Sequence, residues 1–241
     1  MQSLPDVARS RFGSWATNVQ LPPGPRVPGL KATEHAYLYL KNLIVTLQLP
    51  PQTIVTETEV ALAADVSRTP VREAFLRLQS EQLLDLIPQR GAMVPAITLR
   101  AIQEQAVTRV VLEGYGVDWV CTHRVPVAER LHQLVDEQRS IYDDDPERIV
   151  DMVTVDKEFH WTLIKATGNT EFAQLYNRLH DRQLRIGIAM FQAVPPRRCT
   201  AIEHHLEIAN AIETFDLPAA QRLLKAHLVG SLPEVSGIFT N

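Results

Sequence analysis

The chain has 241 residues, enough for one large domain or two ordinary ones. Its residues are 45% hydrophobic, 22% charged and only 6% aromatic, a profile that excludes a fully disordered chain and a collagen-like or coiled-coil rod. The net charge of -4 argues at first against a nucleic-acid partner, because proteins that neutralise phosphates usually carry a basic field. Residues 1–96, however, carry nine Lys and Arg against eight Asp and Glu, so the acidity belongs to the second half of the chain.

The sequence contains neither a membrane-spanning apolar stretch nor the basic start and apolar middle of a secretory signal. We therefore expect a cytoplasmic protein with no membrane partner. Its two cysteines, Cys121 and Cys199, lack CxxC spacing, so neither a disulfide framework nor a structural zinc finger is expected.

The first part of the chain combines a proline-rich start with a compact helical pattern. Residues 1–30 contain five prolines and few apolar side chains, which predicts a flexible arm. Hydrophobic spacing then predicts helices over 35–49, 57–64 and 69–81, followed by two short strands over 83–87 and 92–95. Two helices, a turn, a third helix and a hairpin form a winged helix-turn-helix, which we assign to residues 31–97.

The third of these helices carries the candidate DNA-contact residues. Ser67 is a candidate cap for this helix, and Arg68, Thr69 and Arg72 project from its amino-terminal end, where base edges and phosphates are reached. Arg90 and Gly91 lie at the hairpin tip, and they suit a wing that contacts the DNA backbone or minor groove. Arg77 extends the positive side of this helix. The alternative is that these arginines form an ordinary solvated helix face.

This segment resembles a known family of DNA-binding domains. The run from Val66 to Ala74, together with Pro88 to Val94, is similar to the DNA-binding domain of the GntR family of bacterial transcription regulators. Two positions depart from that pattern. Asp65 stands where the family often has glycine, a change that Asp tolerates because it visits the left-handed region readily. Thr58 stands where an arginine is common, which implies one phosphate contact fewer.

After residue 98 the pattern becomes almost wholly helical. It predicts six helices, over 99–124, 127–142, 147–167, 170–192, 197–214 and 218–239, with Asp145 and Asp216 as N-caps. The expected fold is therefore mainly α, with an N-terminal winged helix-turn-helix followed by a six-helix antiparallel bundle over residues 98–241.

Four side chains of the bundle form a candidate metal site. Asp156 and His160 are four residues apart on one helix face, and His205 and His227 follow in the last two helices with aliphatic neighbours. One carboxylate and three imidazoles suit a divalent ion such as zinc, nickel or manganese. From the residues alone, ordinary core or surface positions remain the alternative, and the neighbouring His204 is a competing candidate.

The bundle is also similar to the FCD effector domain of the FadR subgroup, in its shorter VanR-like branch. The resemblance implies that the Asp-His-His-His set binds metal, and it favours His205 over His204. It further implies a small carboxylate or hydroxy-acid effector that meets an inward arginine, with Arg109 the first candidate and Arg185 the second. For Arg109, an intrahelical pair with Glu113 is the alternative.

Together these features predict a homodimeric, ligand-responsive transcription repressor that binds a double-stranded DNA operator and is not an enzyme. One alternative is a metal-dependent hydrolase, although the sequence contains no HExxH motif, nucleophile elbow or phosphate loop. Another is a DNA-binding protein whose bundle serves only dimerisation.

Overall fold

The computed structural model describes residues 20–230 and 238–239. The chain separates into two compact units, Met1–Ile97 and Thr98–Asn241. The described residues form nine helices and three short strands, which confirms the predicted mainly α fold. No helix among these residues is long and apolar enough to cross a membrane.

Residues 20–97, the part of the first unit that the structure describes, form three helices and a small sheet. These elements are α1 (Ala32–Val45), β1 (Ile54–Val55), α2 (Glu57–Ala63), α3 (Arg68–Ser80), β2 (Asp85–Ile87) and β3 (Gly91–Met93). The strands pair antiparallel in the order β1-β3-β2, so the predicted hairpin gains a third strand. This strand was not predicted, because two residues are too few to show an alternating pattern.

Residues just before α2 and α3 explain where the two helices of the helix-turn-helix begin. Thr56 and Glu59 form a capping box at the start of α2, which satisfies amide groups that would otherwise lack partners. Asp65 adopts a φ of 52° in the turn before α3, the left-handed conformation expected for this position. Ser67 does precede α3, but its side chain makes no capping hydrogen bond, so that part of the prediction was wrong.

Part of the proline-rich arm can be described. Residues 1–19 of the predicted flexible arm lie outside the described residues. Farther along, the Gly24 amide donates to the Ala63 carbonyl at 2.8 Å, and the Tyr39 hydroxyl donates to the Pro22 carbonyl at 2.6 Å. The stretch around residues 22–24 therefore lies against the helices of the first unit.

The described residues of the second unit form a bundle of six helices. They are α4 (Leu99–His123), α5 (Ala128–Asp144), α6 (Ile149–Lys165), α7 (Thr170–Ala193), α8 (Arg197–Glu213) and α9 (Leu217–Val229). Helix α4 packs against α6 and α9, α5 against α6 and α8, and α6 against α7. Gly116 lets α4 approach α6 closely, since a Cβ at this position would lie 2.8 Å from the Leu163 carbonyl oxygen.

Helix ends agree with the sequence prediction in part. Asp216 caps α9 by accepting from the Ala219 amide, as predicted. Asp145 does not cap α6. It accepts from the Glu147 amide within a turn, and the helix begins only at Ile149. The last helix ends at Val229, before the predicted end, and residues 231–237 lie outside the described residues.

Candidate metal centre and DNA-contact face

Four side chains from three helices converge inside the bundle, and we call them the histidine cluster: Asp156 and His160 from α6, His205 from α8 and His227 from α9. One potential ligand atom from each lies within 4.8 Å of all the others. The Nε2 atom of His160 is 3.2 Å from the Nε2 atoms of both His205 and His227, and Asp156 Oδ1 is 3.4 Å from His205 Nε2. All three imidazoles are buried. His204, the competing candidate, is not part of this cluster.

Two further side chains orient the rings of the cluster. Oε2 of Glu113 lies 2.7 Å from His160 Nδ1, although the angle departs from that of an ideal hydrogen bond. Oε1 of Gln138 lies 2.9 Å from His205 Nδ1, and the Gln138 amide nitrogen donates to the Met152 carbonyl. Each Nδ1 thus faces an acceptor, which favours the tautomer that carries its proton on Nδ1. The outer partner of a metal-bound histidine commonly acts in this way.

This proton arrangement tests whether the cluster suits a cation. If the Nδ1 atoms of His160 and His205 both carry protons, both Nε2 atoms present lone pairs. Those two Nε2 atoms lie 3.2 Å apart in a buried site. Two acceptors in such contact are stabilised by a cation or a proton between them. The residues therefore fit a bound metal ion.

Burial keeps two of these histidines neutral. It lowers the pKa of His205 to about 3, against an ordinary value of 6.5, although the Asp156 carboxylate partly opposes the shift. Burial likewise lowers the pKa of His227 well below its ordinary value, and the neighbouring imidazoles add to the shift. Neutral imidazole is the form that binds metals, so these rings need no deprotonation at neutral pH.

Glu113 joins the histidine cluster to a second buried group. Its Oε1 accepts from Arg109 Nε at 2.6 Å and from the Tyr176 hydroxyl at 2.9 Å. Burial alone would raise the pKa of Glu113, but Arg109 and His160 outweigh it and lower the pKa to about 2. Arg109 therefore makes the intrahelical pair that the sequence left open, in a buried setting.

A cavity of about 60 Å³ adjoins the cluster. By the same measure one water needs about 10–15 Å³, so the cavity has room for a handful of waters or a small organic acid. Asp156, His227 and Arg109 all line it, so one arginine serves both the ion pair and the cavity wall. Arg185 is buried on α7 but is not among the described lining residues, and burial lowers its pKa to about 10.

In the first unit, the predicted contact residues of α3 lie on its exposed face. Ser67, Arg68, Thr69 and Arg72 are all exposed, whereas Val71, Ala74, Phe75 and Leu78 are buried against the unit's core. Arg72 is held by Glu57 of α2 through two hydrogen bonds, of 2.9 and 3.0 Å. Arg68 forms no ion pair with any described residue.

Two other cations of the first unit differ in their surroundings. Arg77 pairs with Glu34 at 2.8 Å and lies over the Tyr37 ring, so it stabilises the packing of α1 on α3. Arg90 is exposed at the hairpin tip and has no ion-pair partner among the described residues. The next residue, Gly91, has a φ of 107°, and an added Cβ would meet the Val55 carbonyl oxygen, so only glycine fits there.

Sequence reasoning missed the two residues that orient the rings. Glu113 was noticed only as the partner of Arg109 four residues earlier, and no local pattern links it to His160. Gln138 gave no signal, because its contact with His205 joins residues 67 positions apart. A buried polar residue on an otherwise apolar helix face is the only available hint for such a role.

The neutral histidines predict an acid-sensitive fold once metal is removed. Between pH 6.5 and 4.5 the unfolded chain takes up protons that His205, with its pKa of about 3, cannot accept when folded. The free energy of unfolding should therefore fall as pH decreases, by up to about 1.4 kcal/mol per pH unit for each such histidine. Glu113 adds to the loss mainly below pH 4.5, because its carboxylate takes up a proton near its ordinary pKa of 4.5 in the unfolded chain but only near its lowered pKa of about 2 in the folded one.

Urea unfolding of chelator-treated protein at several pH values between 5 and 6.5 measures this slope. His205→Gln should flatten it by about one proton's contribution, whereas His123→Gln, at an exposed position, should leave it unchanged. An identical slope in wild type and His205→Gln would contradict the prediction.

Comparison with known families places both units. Residues 32–94 match the bacterial regulatory proteins of the gntR family, and residues 104–230 match the FCD domain. Among curated proteins, the chain is 28% identical to an HTH-type transcriptional regulator in an unstable DNA locus of Streptomyces ambofaciens, covering 84% of each chain. It is 26% identical to the HTH-type transcriptional repressor RspR of Escherichia coli K12, covering 83% of this chain and 87% of the relative.

Solved structures agree on the fold. A GntR regulator from Rhodococcus sp. RHA1 superposes with a TM-score of 0.74 at 24% identity, covering 85% of this chain and 97% of that one. McbR/YncC of E. coli gives a TM-score of 0.68 at 20% identity, covering 86% and 98%. With a winged helix-turn-helix followed by an FCD bundle, the chain belongs to the GntR family of bacterial transcription regulators.

Proposed function

We propose that the protein is a repressor that a small carboxylate effector releases from its DNA operator. The observation that carries the proposal is the histidine cluster, which borders a cavity within an FCD domain. The name of the relative RspR, a transcriptional repressor, supports the direction of regulation. The bundle then has a sensing role, so no residue of the chain is assigned to catalysis.

The cluster would hold one divalent transition metal through Asp156, His160, His205 and His227. Three imidazole nitrogens and one carboxylate suit zinc, nickel or manganese, whereas calcium and magnesium prefer ligand sets made of oxygen. The bound ion supplies a Lewis-acid site for an anionic effector. Glu113 and Gln138 hold the rings so that Nε2 faces the ion.

The effector would occupy the cavity beside the cluster. A carboxylate loses its hydration there, and such a group is buried only if it meets opposite charge. Arg109 lines the cavity and provides a cationic side chain for a small carboxylate or hydroxy acid. Arg185 remains a second candidate, although it is not among the described residues that line this space.

DNA recognition would use the exposed face of α3 and the wing. Arg68, Thr69 and Arg72 would approach base edges and phosphates in the major groove, with Ser67 beside them at the start of the helix. Arg90 and Gly91 would bring the wing to the neighbouring DNA backbone.

A regulator of this kind binds pseudopalindromic operators as a dimer. The effector must then bind its DNA-competent and DNA-incompetent states with different affinity.

An apolar stripe on the bundle supports a homodimer. Val107, Val111 and Tyr115 are exposed at successive i, i+4 positions of α4, and the Tyr115 ring contacts Phe172 of α7, near the exposed Leu175. Contiguous apolar surface of this kind marks interaction sites more often than free surface. We assign the stripe of Val107, Val111, Tyr115, Phe172 and Leu175 to contact with a second copy.

The two alternatives gain no support. The relatives compared above are regulators, and none is named as a hydrolase. A bundle used only for dimerisation has no need of a polar cavity beside three buried histidines.

Metal content tests the cluster. We expect purified wild-type protein to carry about one equivalent of transition metal per protomer, and Asp156→Ala and His205→Ala to lose most of it. His204→Ala is the matched control and should keep the wild-type content, because His204 lies next to His205 but outside the cluster. Elemental analysis after dialysis measures this, and equal metal content in His205→Ala and wild type would refute the site.

Glu113→Gln separates orientation from ligation. It keeps all four ligands but removes the carboxylate charge that faces His160, so we expect metal affinity to fall about 10–100-fold. Competition with a chelator dye measures the change. Wild-type affinity in this variant would show that Glu113 has no part in holding the metal.

DNA binding tests the proposed role of α3. Arg68→Ala and Arg72→Ala should each weaken binding to the operator upstream of the protein's own gene by about 1–3 kcal/mol if they read bases, with little loss on a scrambled duplex. Arg100→Ala is the control, since Arg100 is an exposed, ion-paired arginine of the bundle. Fluorescence anisotropy measures both duplexes, and an equal loss on the two would make these residues phosphate contacts instead.

A charge in the apolar stripe tests the dimer. Val111→Glu would bury an unpaired carboxylate at the contact, so the dimer dissociation constant should rise more than about tenfold. Val150→Glu, at an exposed apolar position of α6 outside the stripe, should leave it unchanged. Sedimentation velocity measures both variants, and a Val111→Glu protein that still dimerises like wild type would place the interface elsewhere.

A further inference from the structure

Gln183 is a buried side chain that the bundle leaves without a hydrogen-bond partner. It lies on α7 and is only 7% exposed. Neither its Nε2 nor its Oε1 forms a hydrogen bond with any described residue. Buried amides are nearly always hydrogen-bonded in folded proteins, because an unpaired one loses the bonds that it makes with water in the unfolded chain. The partner of Gln183 is therefore to be sought outside the described residues of this chain.

The position of Gln183 connects it with the effector. Its side chain lines the same cavity as Asp156, His227 and Arg109. The amide comes from α7, whereas the two metal ligands that line the cavity come from α6 and α9 and the arginine from α4, so one small molecule in the cavity can meet both sets. Ile186, on the same helix, also lines the cavity and provides an apolar wall beside the amide.

The chemistry of an amide restricts what it can recognise. Its oxygen accepts hydrogen bonds and its nitrogen donates them. A methyl group satisfies neither atom, and a carboxylate, which only accepts, would leave Oε1 facing a second acceptor. A hydroxyl or a carboxamide both donates and accepts, so either group satisfies the whole side chain.

We infer that Gln183 selects effectors that carry an uncharged hydroxyl or carboxamide group in addition to the carboxylate. This inference rests on the effector site proposed above. The carboxylate lies at the metal and Arg109, and the second polar group lies at Gln183. Monocarboxylic acids with a purely aliphatic tail, and dicarboxylic acids, are then disfavoured.

Two matched pairs of acids test the selection. Pentanoate and 4-hydroxybutyrate differ by a methyl group against a hydroxyl, and succinate and succinamate differ by a carboxylate against a carboxamide. We expect the metal-loaded, full-length protein to bind the second member of each pair at least about tenfold more tightly. Gln183→Met has a similar volume but no amide, so it should bring both affinity ratios close to one. Isothermal titration calorimetry measures the affinities.

Gln192→Met is the matched control, because Gln192 is exposed on the same helix and does not line the cavity. It should keep the wild-type ratios. Equal affinities within each pair, or a preference that survives Gln183→Met, would overturn this inference while leaving the effector site in place. Failure of all four acids to bind the wild-type protein would instead count against the effector site itself.

Thermal stability gives a readout that needs no effector. If the amide is kept for a ligand, an apolar replacement removes an unpaired polar group, and the melting temperature of the ligand-free protein should rise by about 2–4 °C in Gln183→Met. Gln183→Leu serves as a second replacement in case one side chain packs poorly. A fall in melting temperature with both would show that the amide serves the fold, and would overturn the inference.

Discussion

The buried carboxylate of Glu113 is the constraint on which the bundle depends. It is fully buried, and its oxygens contact Arg109 on the same helix, His160 on α6 and Tyr176 on α7. A charge removed from water is tolerated only with such partners, so the three helices must meet where they do. Because the same carboxylate faces His160, the packing of the bundle and the orientation of the histidine cluster cannot vary independently.

The centre of this bundle departs from the rules for a stable core. Three imidazoles meet in one buried site with Nε2 atoms 3.2 Å apart, and the Gln183 amide forms no hydrogen bond with any described residue. Stable cores avoid both features, and natural proteins break such rules mainly at functional sites. A metal ion that binds the folded chain but not the unfolded one adds its binding energy to stability, and it offsets part of this cost. In the proposed function, sensing and folding are thus linked at one site.

How much of the site could be predicted from the sequence depends on how far apart in the chain its contacting residues lie. Asp156 and His160 share one helix turn, so their spacing alone placed them together. The assignment of His205 and His227 required the family resemblance. His204 fits a local pattern equally well, and the orientation of α8 decides which of these two neighbouring histidines faces the cluster. Gln183 could not be predicted, because no local pattern tells a cavity wall from a core position. The two-residue strand β1 could not be predicted for a similar reason, because it forms through its pairing with β3.

The net charge of -4 takes on a physical meaning once the ion pairs are known. Glu57 neutralises Arg72, and Glu34 neutralises Arg77, so Arg68 and Arg90 are the arginines of the proposed contact face without an ion pair among the described residues. Few phosphates can then be neutralised by one copy, which makes its sequence-independent affinity small and its salt dependence shallow. Specific binding by the proposed dimer must come from base contacts made twice on one operator. In the proposed mechanism each copy binds weakly alone, so an effector releases the DNA once the two copies no longer present their α3 helices together.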